Sequence, residues 1–246
     1  MNTHTTRSEK ETQNRETLYD LYKNNPIPED EQLSQLGLFV NRQSLSRILY
    51  MDELYQKVIG IPGSIMEFGV RWGQNMSLWT NMRGIYEPFN YTRKIIGFDT
   101  FDGFVGTSEK DGAGEIIKEG SYNVTEGYKD YLNRVLCEHE KNCPVSHIVK
   151  AYTVKGDVSK TLPKYLKENP HTIVSLAYFD FDIYAPTIKS LELIYDLIPI
   201  GGVIAFDELN HPMFPGETRA VKDFFDGLGI GLQRSKYSTV QAFVIK

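Results

Sequence analysis

The sequence predicts a doubly wound α/β fold built on an open, mostly parallel sheet, and three observations predict it. Five short apolar runs, each closed by Gly or Asp, alternate with segments of helical periodicity between residues 64 and 206, as strands buried on both faces do. Acidic residues recur at the ends of those runs, in Phe98-Asp99, Phe179-Asp180-Phe181-Asp182 and Phe206-Asp207-Glu208. Finally, residues 232–236 and 241–245 alternate around Tyr237-Ser238-Thr239 in the manner of an antiparallel hairpin. Five parallel strands and this hairpin make seven.

The elements follow in order. Residues 1 to about 30 are charged and poor in branched aliphatics and end in Asn25-Pro26-Ile27-Pro28-Glu29-Asp30-Glu31. The first dozen are therefore expected to be disordered, with a short helix around residues 16–23. Residues 1–43 read as a polar, partly helical extension and 44–246 as the main domain. From Ser44, the residues Leu45, Ile48, Leu49, Leu54, Tyr55, Val58 and Ile59 recur at helical spacing until Gly60 and Pro62 stop the run. The core alternation comes next: strand 64–68, helix 74–85, strand 94–98, helix 128–137, strand 148–154, helix 158–168, strand 173–178, helix 186–197 and strand 202–206. Right-handed crossovers connect such parallel strands. A helix over 219–228 precedes the hairpin. Residues 103–127 hold six glycines and little apolar periodicity, and a loop of that length inside a domain reads as a lid or acceptor-site flap.

Composition narrows the function. A 246-residue chain that is 41% hydrophobic has material for a sizeable core. A net charge of -5 with scattered lysines gives no electrostatic footprint for nucleic acid. The polar start lacks a secretory apolar stretch, and nothing approaches the ~18 apolar residues of a membrane span, so a soluble, cytoplasmic protein is expected. Cys137 and Cys143, with five residues between them in a Lys/Glu-rich context, fit no zinc or redox spacing and read as reduced bystanders.

Chemistry concentrates at the strand ends. Glu67-Phe68-Gly69-Val70-Arg71-Trp72-Gly73 lies where the first strand turns into its helix. Gly69 and Gly73 let backbone approach a ligand at that helix's N-terminus, or simply make the turn tight. Asp99 ends the second strand, where a carboxylate accepts from ribose hydroxyls or forms a turn; Phe101 or Phe104 beyond it is placed to wall an adenosine pocket. Asp157 and Val158, in Lys155-Gly156-Asp157-Val158-Ser159, lie on the same rim. Asp157 is suited either to the adenine amino group or to capping the next helix.

The acids of the fourth and fifth strands form a further group. Carboxylates at the C-terminal ends of neighbouring parallel strands converge on one rim, and their mutual repulsion calls for a cation. Oxygen-only ligation favours Mg²⁺, with Ca²⁺ or Mn²⁺ as alternatives. Pairing of Asp180 with a Lys or Arg is the competing account. His211, three residues past Glu208, is a candidate base or a loop residue.

Several ordered segments together resemble the macrocin O-methyltransferase family of S-adenosylmethionine-dependent sugar and natural-product methyltransferases, from about Leu45 to the C-terminus. They are Pro62-Gly63-Ser64-Ile65-Met66-Glu67-Phe68-Gly69-Val70-Arg71-Trp72-Gly73, Gly97-Phe98-Asp99-Thr100-Phe101-Asp102-Gly103-Phe104, and Gly156-Asp157 with Thr161-Leu162-Pro163. Asp180-Phe181-Asp182-Ile183-Tyr184-Ala185-Pro186-Thr187, Gly201-Gly202-Val203-Ile204-Ala205-Phe206-Asp207-Glu208 and Arg219-Ala220-Val221 continue the series. The resemblance implies a Rossmann-like methyltransferase sheet whose last strand inserts beside the fifth. It also implies S-adenosylmethionine across Glu67, Gly69, Gly73, Asp99, Phe101, Asp157 and Val158. Magnesium would lie on Asp182, Asp207 and Glu208, with Glu208 standing where the family commonly has Asp.

The reaction expected is methyl transfer to a hydroxyl of a sugar, sugar nucleotide or glycosylated natural product, with Asp182 or His211 receiving the proton. A homo-oligomer is expected, because the extension has too few apolar residues for a core of its own. A nicotinamide dehydrogenase would account for Gly69, Gly73 and Asp99 but leaves the clustered acids and hairpin without a purpose. A non-catalytic S-adenosylmethionine-binding scaffold subunit has no need of acids at an acceptor site.

Overall fold

The computed structural model describes residues 7–114, 116–229 and 231–246; the disorder expected at residues 1–6 lies outside them. The chain divides into two compact units, Met1–Arg47 and Ile48–Lys246.

In the first unit, helix α1 (Glu9–Lys23) precedes a 3-10 helix, Gln32–Phe39. The helix starts at Glu9 rather than near Glu16 because Ser8 and Glu11 form a capping box, each side chain bonding the other's backbone amide. That Ser-x-x-Glu signal stabilises a helix start without any apolar periodicity. Tyr22 meets Phe39 edge-on at 5.2 Å, and neither helix buries a residue. Helix α2 (Arg42–Val58) crosses the boundary and buries Tyr50, Met51, Leu54, Tyr55 and Val58.

The second unit is a seven-stranded sheet in the order β3-β2-β1-β4-β5-β7-β6. Its strands are β1 (Ser64–Phe68), β2 (Ile95–Asp99), β3 (Ala151–Lys155), β4 (Val174–Phe179), β5 (Val203–Phe206), β6 (Gln233–Arg234) and β7 (Ala242–Ile245). The first five are parallel, and β7 inserts antiparallel between β5 and β6, as the resemblance implied. The intervening helices are α3 (Gln74–Tyr86), α4 (Tyr128–Lys141), α5 (Val158–Glu168), α6 (Tyr184–Ile194) and α7 (Pro215–Phe225). Helix α7 begins earlier than its periodicity suggests because Pro215 occupies its first turn, where a missing amide proton costs nothing.

Successive strand residues point to opposite faces, so the sheet has two cores. Ile65, Trp79, Leu176, Tyr178 and Val203 pack with α2 residues in one, and Met66, Ile96, Ala177, Leu191 and Ile204 belong to the other. At the strands' C-terminal ends Phe98, Phe68, Phe179 and Phe206 are paired in register and stacked at 5.4, 4.8 and 5.4 Å. All four are fully buried, each contributing about 1.5–3 kcal/mol of hydrophobic stabilisation. The residues immediately after this row, Asp99, Gly69, Asp180 and Asp207, form the rim above it.

Cys137 and Cys143 are free thiols. Among the described residues no helix is long and apolar enough to cross a membrane.

Candidate active site

One half of the rim is a backbone cradle. Gly69 (φ 96°) leaves β1, and a Cβ there would lie 2.1 Å from the Asp180 carbonyl oxygen, so only glycine lets the β1 and β4 turns approach this closely. Asp99 Oδ2 accepts from the Val70 and Arg71 amides at 2.6 and 2.8 Å, and Oδ1 from the Phe101 amide at 2.5 Å. The carboxylate thus clamps two turns together. Gly73 (φ 73°) caps α3, and buried Glu67 accepts from the Asn75 side chain at 2.8 Å in the first turn of that helix.

Phe101 is 4% exposed and belongs to the core that includes Val70 and Leu132; Val158 is equally buried, in the other core. Asp157 caps α5, its Oδ1 accepting from the Ser159 amide (2.9 Å) and hydroxyl (2.7 Å). Burial pushes the Asp157 carboxyl up, but the Ser159 bonds and Lys160 outweigh it and hold the group below its usual range. The Gly156 amide donates to the Asp99 carbonyl at 2.8 Å, joining the two motifs.

The other half of the rim is acidic. Asp207, 4% exposed, accepts from the Tyr178 hydroxyl and the Gln241 amide. Asp182 has φ 63°, a left-handed conformation that Asp tolerates better than most residues. The Glu208 amide donates to Glu217 Oε1 at 3.0 Å. Glu217, in the first turn of α7, is fully buried, and its Oε2 has no hydrogen-bond partner among the described residues. Burial drives its carboxyl well above the ordinary range, and the charges of Asp182, Asp207 and Glu208 add to the shift. Sequence reading missed Glu217 because an acid near a helix start ordinarily serves only the helix dipole. His211 Nδ1 lies 3.8 Å from Glu208 Oε2 and accepts from the Met213 amide at 3.4 Å.

The flap is not the loose segment that its glycines suggest. Asp111, fully buried, accepts from the Ser108 amide with one oxygen and from the Tyr184 amide at the start of α6 with the other, at 2.5 Å. Arg219 donates to the Glu109 and Lys110 carbonyls, and Lys110 pairs with Asp223 at 2.9 Å. Farther on, Tyr122 packs on Phe104 and Phe214, with the Arg71 guanidinium 4.7 Å from its ring. Burial and then Asp182 raise the Tyr122 phenol, Arg71 opposes, and Glu208 and Asp180 add to the rise. The flap therefore reaches the acidic rim. Among the described residues six non-glycines have positive φ, and Arg71, Phe101, Tyr122, Asp182 and Asn210 are at or beside this rim, with Val145 the exception. Strain of this kind collects at functional sites.

The acids that follow β4 and β5 offer oxygen donors only, the kind a hard cation takes. Among the described residues no group of three or more His, Cys, Asp or Glu is drawn together as a ready metal cage.

Residues 43–233 match the family model of macrocin O-methyltransferase. A crystal structure of CalS11, a calicheamicin methyltransferase, is similar at 39% identity over 98% of this chain and 94% of that chain, with a TM-score of 0.94. The apo structure of CalS11, described as a TDP-rhamnose 3'-O-methyltransferase in calicheamicin biosynthesis, is similar at 37% identity over 98% and 96%, TM-score 0.86. The O-methyltransferase NovP shares the fold, at 19% identity over 82% and 79% and TM-score 0.62. No curated protein sequence matches the chain.

Proposed function

This chain belongs to the macrocin O-methyltransferase family and is an S-adenosylmethionine-dependent O-methyltransferase, and from that premise we propose that its acceptor is a hydroxyl of a sugar, free, nucleotide-linked or carried on a larger natural product, and that a divalent cation, Mg²⁺ first, assists. The observation that carries the acceptor class is the full-length likeness to CalS11. Support for the cation comes from the acids gathered at the ends of β4 and β5 beside the glycine cradle.

In this reading Glu67, Gly69, Gly73, Asp99, Phe101, Asp157 and Val158 line the donor half of the rim. Asp99 keeps the Val70–Arg71 turn open by its amide bonds while the one lone pair that its three amide donors leave on Oδ1 takes a ribose hydroxyl. Asp157 offers the adenine edge its second oxygen, since Oδ1 serves the cap. Bound S-adenosylmethionine supplies an already activated methyl group, and a divalent cation on Asp182, Asp207 and Glu208 would lower the acceptor hydroxyl's pKa. The protein's own part is orientation and proton removal. Asp182 receives the proton in preference to His211, whose Nδ1 already accepts from Met213; that leaves the neutral ring presenting a protonated Nε2. Tyr122, its phenol raised by burial and then by the charge of Asp182, keeps its proton as a hydroxyl donor.

The test is radiolabelled methyl transfer to a panel of nucleotide sugars with and without chelator. Chelation, Asp182→Asn and Asp207→Asn are each expected to abolish turnover while leaving donor binding largely intact. Full turnover in excess chelator overturns the cation's role, and no transfer to any sugar-bearing acceptor overturns the acceptor class.

The first unit, whose helices bury nothing, supports a homo-oligomer in which α1 packs on another subunit. Light scattering of the full chain at micromolar concentration is expected to report a dimer or larger, and a monomer rejects it.

A further inference from the structure

We propose that Arg71 and Tyr122 are positioning residues that carry donor occupancy from the glycine cradle to the flap, so that the acceptor face is ordered once S-adenosylmethionine is bound. This rests on the reading above in which Asp99 holds the ribose. Three features of the structure carry it. Arg71 belongs to both parts: its amide donates to Asp99 Oδ2 at 2.8 Å, while its guanidinium lies 4.7 Å from the centre of the Tyr122 ring. A cation over an aromatic face is attracted by the ring's quadrupole. The residue clamped into the donor turn therefore also holds a side chain of the flap.

The second feature is strain on both sides of that contact. Arg71 (φ 48°) and Tyr122 (φ 64°) are non-glycines in the left-handed region, a conformation that persists only where surrounding contacts impose it. Asp99 imposes it on Arg71 through the amide bond. Tyr122 is held by rings instead, with Phe104 at 5.2 Å and Phe214 at 6.3 Å, and by the Arg71 guanidinium.

The third feature is that these contacts close a circuit. From Asp99 the chain runs through Thr100, whose hydroxyl donates to the Gly103 carbonyl at 2.6 Å, to Phe104. The Phe104 amide donates to the Ser121 carbonyl at 2.9 Å, and the Gly120 amide donates to the Phe104 carbonyl at 3.0 Å. Glu119 extends the pairing by accepting from the Gly106 and Thr107 amides. Tyr122 follows directly, and Arg71 leads back to Asp99. A ribose bonded to Asp99 thus sits in a ring of contacts whose far side is the flap. On the acceptor side, Phe214 immediately precedes α7 and lies 5.5 Å from the His211 ring, so Tyr122 also abuts the segment that follows Asp207 and Glu208. The middle of the flap is tied separately, to α6 and α7 through Asp111 and Arg219.

The experiment follows amide hydrogen exchange of the full chain by mass spectrometry, with and without S-adenosylhomocysteine, whose affinity for each chain is measured by calorimetry. In the natural chain the ligand is expected to slow exchange over residues 104–107 and 119–122 roughly tenfold. Tyr122→Leu should still bind S-adenosylhomocysteine but lose that protection. Its affinity should fall roughly 5-fold or more, because coupling between two events is reciprocal. Tyr122→Phe, which keeps the ring, should restore both, whereas a space-filling role would be met by Leu as well. Arg71→Met should repeat the loss of protection, and it is the variant read should Tyr122→Leu fail to bind. Undiminished protection in these two variants overturns the clasp. Ligand binding without flap protection in the natural chain overturns the coupling and leaves the donor reading standing. Full affinity and full protection in Asp99→Ala overturn the ribose reading, and the route through Arg71 with it.

Discussion

Asp99 illustrates how one residue serves both architecture and ligand. Its carboxylate receives the amides of Val70, Arg71 and Phe101, so two of the rim's turns share a single acceptor. Asp99→Ala removes that acceptor along with the proposed ribose contact. Hydrogen bonds to a charged group are worth about 1.5–3 kcal/mol, and S-adenosylmethionine affinity should fall at least tenfold by calorimetry. Affinity unchanged by the substitution would place the ribose elsewhere. Asp157 is the contrasting case, with one oxygen committed to a helix cap that the sequence already offered as its alternative role.

At the scale of elements, α6, α7 and the flap meet through Asp111 and Gly216. Asp111 accepts from the first amide of α6, an anion at a helix N-terminus, while Arg219 of α7 holds the adjoining carbonyls. Gly216→Ala forces a methyl group against Asp111 and the Tyr184 backbone, and overpacking of this kind costs about 1–3 kcal/mol. The flap should then be cleaved faster by protease between residues 103 and 127, and the acceptor KM should rise while donor affinity holds. Cleavage at the natural rate would mean that other contacts pin the flap. The glycine-rich sequence concealed this strap because its bonds join residues about 70 to 110 positions apart.

For the whole second unit, Arg93 joins elements that are remote in sequence. Nearly fully buried, it donates to the carbonyls of Val58, Ile59, Ile61 and Gly63, to Ser175 Oγ and to Glu87. It thereby ties the end of α2 to the start of β1 and to β4. Burial pushes the Glu87 carboxyl up, but bonds from Arg93, Tyr55 and Asn90 outweigh it and leave the pKa below its ordinary 4.5. A folded-state value below the unfolded one means stabilisation present above about pH 4.5 and lost as pH falls through the folded value. Urea midpoints of the natural chain should therefore drop more steeply below pH 4.5 than those of Glu87→Gln, which starts lower and has less to lose. Parallel curves would remove Glu87 from the acid-unfolding account.

The fold and the position of the candidate site on the strand ends are determined locally, and so are legible in one dimension. Strand runs, their terminal acids, the Gly69–Gly73 turn and the hairpin are contiguous patterns whose spacing follows from the two- and 3.6-residue periods of the backbone. The place of Asp99, Asp180 and Asp207 on the rim was legible for the same reason: parallel strands end on one edge, and the residue after each buried Phe must stand on it. The start of α1 was legible in principle, in Ser8 and Glu11, but not by apolar spacing. Tertiary structure alone decided the rest. Glu217 looks like any acid near a helix start until α7 packs and its carboxyl is buried against Glu208. Asp111 and Tyr122 look like loop residues until the flap folds back on α6, α7 and Arg71. Burial and unpartnered oxygens are properties of a packed arrangement, and no local pattern encodes them.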